Sequence, residues 1–386
     1  MEKTSVSGIA RIAALLLCAL LLSCSTGGGG TNVAGADNAV PRYEVDASWP
    51  RPLPNRWGIG QVAGIATDAN DHIWMVHRPR TMTEDERGAS LPTPRSVCCI
   101  PAPAVLEFNA QGRLLRSWGG PGPGYEWPQN EHGIYVDHKG NVWVGGNGEN
   151  DHQLLKFTPD GKFLLQIGRA GQTGGSNSTT LLGRPAHMET DPATNELIVA
   201  DGYRNRRVIV FDADTGAYKR HWGAYGERPD DAPPRNYVPG QPPSRQFANP
   251  VHCARQSKDG LLYVCDRINN RIQVFTKDGK FQKEFFVGLQ TRGSGSVWDL
   301  VLSHDAGQRW LHIVDGENNQ VWTVQREDGR VVDTFGRNGR NAGQFHWVHN
   351  VAMDSAGNLY TSEVDTGKRA QKFRYLGIQA PRPEAP

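Results

Sequence analysis

The sequence predicts an all-β chain folded as a six-bladed propeller. Two observations about the body of the chain carry that expectation. It is rich in turn formers, with 45 Gly and 25 Pro among 386 residues, and it repeats a four-strand unit around its length. No amphipathic helical pattern persists beyond a few residues, and turn signals recur roughly every 8 to 12 residues, the spacing of an all-β domain.

The opening segment stands apart from this body. Lys3 and Arg11 precede an apolar run from Ile12 to Leu22, too short to span a bilayer and flanked as an export signal is. The run ends Leu21-Leu22-Ser23-Cys24, which resembles the lipobox of bacterial lipoproteins and implies that residues 1–24 are a signal with Cys24 as the lipidated residue. An ordinary cleaved signal with an incidental Cys is the plainer alternative. Residues 25–41 have the composition of a flexible tether. The expected placement is therefore an exported chain, lipid-anchored to the bacterial cell envelope and facing the periplasm or exterior, with a propeller over residues 42–376 and a Pro-rich tail over 377–386.

Charge and cysteine content narrow the partners. With 42 basic against 40 acidic residues, nothing favours a polyanion, so nucleic acid is excluded as a partner. The membrane is reached through the anchor only, and the chain is read as a monomer. Beyond Cys18 and Cys24 there remain the adjacent Cys98 and Cys99 and the separated Cys253 and Cys265. None has metal-knuckle spacing. Buried or paired thiols in an oxidising compartment fit this usage, and the connectivity stays open.

The repeat is plainest in four stretches: VWVGGNGENDHQLLKFTPDGKFLLQIG (142–168), LIVADGYRNRRVIVFDADTGAYKRHWG (197–223), LYVCDRINNRIQVFTKDGKFQKEFF (262–286) and LHIVDGENNQVWTVQREDGRVVDTFG (311–336). In each, an apolar strand ends near an Asp, a turn of the form D-x-x-N-x-R/Q follows, and two alternating strands flank a tight turn such as Pro159-Asp160-Gly161-Lys162. A short strand precedes each stretch. Further copies flank the four, GQVAGIATDANDHIWMVHR with AVLEFNAQGRLLRSWG before them and VHNVAMDSAGNLYTSEV with KRAQKFRYLG after. Units of about 40 to 55 residues with four strands read as propeller blades. The last blade has only three strands of its own, and Arg42–Asp46 can supply the outer fourth, closing the ring. Over residues 42–376 the sequence resembles the NHL-repeat propellers, whose recurrent mark is this Asp-Asn turn. Taken alone, the Asp and Asn are structural turn residues.

Topology sorts the loops. In such blades strand 1 starts, and strands 2 and 4 end, on one face of the disc, and the longer connections (79–103, 120–131, 169–185, 223–250 and 337–347) all fall there. Loops elaborated on one side of a rigid scaffold point to where a ligand goes.

A register of histidines follows. Aligning the innermost strands by Asp68, Asp137, Asp191, Ser257, Ser303 and Asp354 and stepping back along each gives Ala63, His132, Ala186, His252, Trp298 and His349. Histidine falls on blades two, four and six, about 120° apart around the axis, where equivalent positions can aim at one point. The whole chain has only 12 His, so three in one register is a pattern, although one His at a strand start would ordinarily be a satisfied polar residue. Three neutral imidazoles with other directions open form the ligand set of a catalytic zinc site. His187 lies one position out of register and is expected to turn away from the channel. Just past the second strands, at the same face, stand Arg78, Tyr203 and Arg267. Each alone is a commonplace turn residue; together, two guanidinium groups can hold a carboxylate.

The full set resembles one enzyme family. GQVAGIATD with VHR, HGIYVD, DGYRNRR, the His252 to CDRINNRIQVF segment, and His349 followed by Asp354 are similar to peptidyl-alpha-hydroxyglycine alpha-amidating lyase, the lyase half of the peptide-amidating system. The resemblance implies a six-bladed propeller with zinc on His132, His252 and His349, a catalytic Tyr203, and active-site arginines Arg78 and Arg267. It also implies a structural calcium on the carbonyls of Ile65 and Ile134 and on an Asp that is Asn350 here, a change that removes a formal charge. Two further departures are Trp347, where the family has a Met near the zinc, and Arg204, which replaces a cysteine of a disulfide beside the catalytic Tyr. The implied reaction splits the C–N bond of an N-acyl- or peptidyl-α-hydroxyglycine into an amide and glyoxylate. In it the metal polarises the hydroxyl, Tyr203 takes its proton and arginine holds the substrate carboxylate. Competing readings are a non-catalytic propeller that binds protein or carbohydrate, and another metal-dependent lyase or hydrolase of a small molecule. A calcium-dependent lactonase would want oxygen ligands where the register carries imidazoles.

Overall fold

The computed structural model describes residues 39–380. The export segment, Cys24, most of the tether and residues 381–386 lie outside the described residues. Six four-stranded antiparallel sheets follow one another along the chain. The innermost strands are Gln61–Thr67, Glu131–Val136, His187–Asp191, Val251–Gln256, Asp299–Leu302 and Val348–Met353. The first five sheets each run strand by strand outward, as in blade two, where Glu131–Val136 pairs with Val142–Gly146, then Gln153–Phe157, then Phe163–Gly168. In the sixth sheet, Val40–Asp46 lies outermost, antiparallel to Arg369–Gln379.

That last strand continues past residue 376, because Val40 pairs with Gln379 and Pro41 with Ile378. Arg42 holds the extension by donating to the Ala380 carbonyl and to Asp333. The inner two or three strands of each blade are almost wholly buried and the outer ones alternate, which is why the inner strands read as continuous apolar runs and the outer ones with period two.

Burial is organised between blades. One apolar cluster joins blades three and four through Val208, Val210, Ala254 and Val264, and the next joins four and five through Val274, Phe285, Leu300 and Leu311. Others join five to six, one to two and two to three. Ile65, Met75, Ala352 and Tyr360 pack the sixth blade against the first. Each sheet therefore buries both faces against its neighbours and brings its first strand to the axis.

The Asp-Asn turns are structural, as expected, and they shape the site face. Asp201 accepts from Asn205 Nδ2 at 2.7 Å and Arg207 Nε at 2.9 Å. Asp266 accepts from Asn269 Nδ2 at 2.8 Å and from Arg271 Nη2 at 2.6 Å. Both ion pairs are fully buried, so the loops between Asp and Asn are clamped at both ends. Tyr203 sits inside the first loop and Arg267 inside the second.

Candidate metal centre

His132, His252 and His349 converge. Their candidate ligand nitrogens lie within 4.8 Å of one another, their ring centroids are 4.6 to 5.1 Å apart, and all three side chains are buried. His187 is not in the cluster.

The backbone re-aims these rings. The pairing of strands 1 and 2 shifts register between Glu131 and Ile134, between Val251 and Cys253, and between Val348 and Asn350. Each bulge spans a histidine, where an extra residue bends the strand and turns its side chain out of the ordinary alternation. Gly133 lets the neighbouring strand come close, since a Cβ there would stand 2.8 Å from the Ala186 carbonyl oxygen.

A second regularity fixes the tautomers. His132 Nδ1 lies 2.8 Å from the Ala186 carbonyl, His349 Nδ1 lies 2.7 Å from that of Ala63, and His252 Nδ1 contacts that of Trp298. Each acceptor is the register-equivalent residue of the next blade. A carbonyl can only accept, so each Nδ1 carries the ring hydrogen and each Nε2 presents a lone pair. Burial, reinforced by Arg78, Arg267 and the neighbouring rings, holds His132 and His252 far below the ordinary imidazole range and His349 down to about 3. The rings are neutral at any physiological pH.

The Tyr203 hydroxyl stands 2.9 Å from His132 Nε2 and 3.0 Å from His252 Nε2. One phenol hydrogen can serve only one of these contacts. The other brings two lone pairs together, an arrangement that a cation bound by the Nε2 atoms would relieve. The donor set thus fits zinc: three converging neutral imidazoles, each with its ring hydrogen on the far nitrogen.

The two arginines differ. Arg78 is buried, and burial pushes its guanidinium down to about 10. Its Nε donates to the Glu131 carbonyl at 2.7 Å and its Nη1 to Gln61 at 2.6 Å. Arg267 stacks 4.3 Å above Trp298 and reaches the Tyr203 hydroxyl only at 3.4 Å, and its buried Nε has no partner among the described residues. It is the freer of the two for an incoming carboxylate. Arg184 also covers the Tyr203 ring, at 5.9 Å, a contact that no sequence spacing signals.

No protein-family model matches the chain. Its relatives include peptidyl-glycine alpha-amidating monooxygenase B of Xenopus laevis, 28% identical over 350 residues that cover 85% of this chain and 35% of that protein. A probable peptidyl-alpha-hydroxyglycine alpha-amidating lyase of Caenorhabditis elegans is 22% identical over 322 residues, covering 80% of this chain and 81% of its own length. The chain resembles the amidating lyases, on an NHL-type propeller. It spans about a third of the length of the first curated relatives it matches. A streptogramin B lyase structure shares the fold, at TM-score 0.50 and 11% identity, over 88% of this chain and 99% of that one.

Trp347 is 36% exposed and stands edge-on to Trp298, ring centroids 5.4 Å apart. Arg204 is exposed. The pairs left open by spacing are Cys98 with Cys99 and Cys253 with Cys265. The second joins the strand carrying His252 to the strand that leads into Arg267.

Proposed function

We propose that this chain is an exported, zinc-dependent lyase that cleaves the C–N bond of an N-acyl- or peptidyl-α-hydroxyglycine. The observation that carries the reading is the meeting of three neutral Nε2 lone pairs with one phenol oxygen, two of them within hydrogen-bond distance of it. Bound by the three imidazoles, zinc would supply Lewis acidity to the substrate hydroxyl.

The chain's own groups supply the rest. Acting as the phenolate, Tyr203 takes the hydroxyl proton, the electrons of the O–H bond form the carbonyl as the C–N bond breaks, and Tyr203 returns the proton to the departing nitrogen, leaving a primary amide and glyoxylate. Arg267 pairs with the substrate carboxylate, and Arg78 adds positive charge from a fixed position. Dehydration of the site follows from burial of the imidazoles, which strengthens each of these interactions.

Export and lipidation at Cys24 belong to the same proposal, and mass measurement of the mature N-terminus tests them. For the chemistry, elemental analysis of chelator-washed and zinc-reloaded protein is paired with glyoxylate release from a simple N-acyl-α-hydroxyglycine. Stoichiometric zinc with zinc-dependent glyoxylate is expected. Zinc without glyoxylate would point to a different small-molecule lyase or hydrolase, and folded protein that takes no metal would point to a binding propeller.

A further inference from the structure

Two residues beyond the histidine register the channel has a second tier. Ile65, Ile134 and Val351 occupy the same register position, counted from Ala63, His132 and His349. The first two are the carbonyls that the family resemblance assigns to calcium, together with Asn350. In this chain a side-chain cation meets the third carbonyl of the tier, that of Val351. Arg255 Nη2 donates to the Val351 carbonyl at 3.1 Å and to Asp299 at 2.6 Å, Nε donates to Asp299 at 3.0 Å, and Nη1 donates to Glu189 at 2.9 Å.

Asn350 is equally committed. Its Nδ2 donates to Asp299 at 3.0 Å, and its Oδ1 accepts from His349 Nδ1 at 2.7 Å. A carboxylate only accepts, so the amide orientation is fixed by its partner and the oxygen must face the histidine. Calcium asks for six to eight oxygen ligands including carboxylates. Here the amide oxygen is taken by an imidazole, and Asp299, which is fully buried, is taken by the guanidinium, the Asn350 amide and the Val351 N–H. The residues do not fit the ion.

We propose that Arg255 replaces calcium as the cation that holds the channel, and that Asp299 and Asn350 carry its fixed position to His349. Arg255, Asp299 and Asn350 are then positioning residues. The second half of the statement rests on the reading of the histidines as metal ligands; the first half does not.

The test uses the whole protein. Wild type is expected to melt at the same temperature in calcium and in a calcium-selective chelator, and to retain no calcium after gel filtration. Retained stoichiometric calcium, or a calcium-dependent rise in melting temperature, would overturn the proposal. Arg255→Met removes the internal cation and leaves Glu189, Asp299 and the carbonyl tier. It is expected to melt lower than wild type and to be raised again by calcium, whereas an unchanged melting temperature would also overturn the proposal. Should that variant fail to fold, Asn350→Ala keeps Arg255 and tests the relay through cobalt loaded at the histidines. The expected result is cobalt affinity weakened about 10-fold or more, as loss of an outer hydrogen-bond partner does, with a changed visible spectrum and recovery in Asn350→Gln. Wild-type affinity in Asn350→Ala would remove the relay. A wild-type protein that takes no cobalt would overturn the metal reading and the relay with it, while the calcium arms still decide what holds the channel.

Discussion

His132 Nδ1 donates to the carbonyl of Ala186 across 2.8 Å, from one blade to the register-equivalent residue of the next. Because the acceptor is backbone, the tautomer of this ring is set by the propeller itself and not by a neighbouring carboxylate. Replacing the ring removes one of the three Nε2 donors while costing about 1 kcal/mol of hydrogen bonding. His132→Ala, His252→Ala and His349→Ala should each keep the native far-ultraviolet spectrum and lose metal affinity by about 100-fold or more, beyond what loss of an outer partner costs. Titration against a competing chelator checks this, and a variant that keeps wild-type affinity would take that residue out of the ligand set.

The Tyr203 oxygen meets two of the three candidate ligand nitrogens, and its ring stands edge-on to the same two imidazoles, a packing that Phe would keep. Tyr203→Phe should therefore leave zinc content unchanged and reduce glyoxylate release by about 100-fold to 10,000-fold, the range of a general acid–base group. Loss of zinc along with activity would make the phenol a structural partner of the rings, and full turnover would exclude it from the chemistry.

Arg267 has a buried Nε without a partner among the described residues, and its guanidinium carbon sits 4.3 Å from the centroid of the Trp298 ring. A charge-assisted bond to a substrate carboxylate contributes about 1.5–3 kcal/mol, or about 10-fold to 150-fold in kcat/KM. Arg267→Met should lose that factor on the free acid and almost nothing on the matching methyl ester, so the preference for acid over ester disappears. An equal loss on both substrates would argue for a role in holding Tyr203 or Trp298 in place.

Much of this was legible in the sequence and some was not, for physical reasons. Blade count follows from local rules, since turn chemistry and strand period repeat in each unit. The three histidines were legible because innermost strands have a common register. The bulges at those histidines were not, because a bulge is a property of pairing between two strands and leaves no mark in either one. Arg255 and Asp299 meet between the innermost strands of blades four and five, a contact that neither strand shows alone, although a charged residue inside the strand Val251–Gln256 is itself a signal. The pairing of Cys253 with Cys265 needed the cross-strand register that sets them opposite each other.

That disulfide gives a further prediction. Both cysteines are fully buried, and they tie the strand of His252 to the strand before Arg267. Closing a loop of this size stabilises the fold by about 3 kcal/mol in the chain-entropy account. The double variant Cys253→Ala with Cys265→Ala should lose unfolding free energy of that order, read as a lower urea midpoint, and bind metal more weakly. An unchanged midpoint would show that the strand pair is held by its ladder alone.

Acid should loosen the protein through buried imidazoles outside the metal centre. His312 is fully buried, with Nε2 2.9 Å from the Tyr43 hydroxyl and Nδ1 3.3 Å from Thr323 Oγ1. Burial pushes it down to about 3 from an ordinary 6.5. In the folded protein the ring stays neutral, while the unfolded chain takes up a proton as pH falls below 6.5. The contribution is therefore present above pH 6.5 and is lost as pH falls from there toward 3. His77, pushed down to about 4, and His187, to about 3, act with the same sign, both chiefly through burial. Each contributes a slope of about 1.4 kcal/mol per pH unit where only the unfolded state is protonated. Tyr43 lies on Val40–Asp46, so the ring of His312 in blade five also anchors the outermost strand of blade six. His312→Gln keeps a polar partner for Tyr43 without a titrating group. Urea unfolding of metal-free protein between pH 4 and 7 should show stability falling with acid in both proteins, with the variant's slope shallower by about one proton's worth. Parallel slopes would mean that His312 is protonated in the folded state, against the burial that surrounds it.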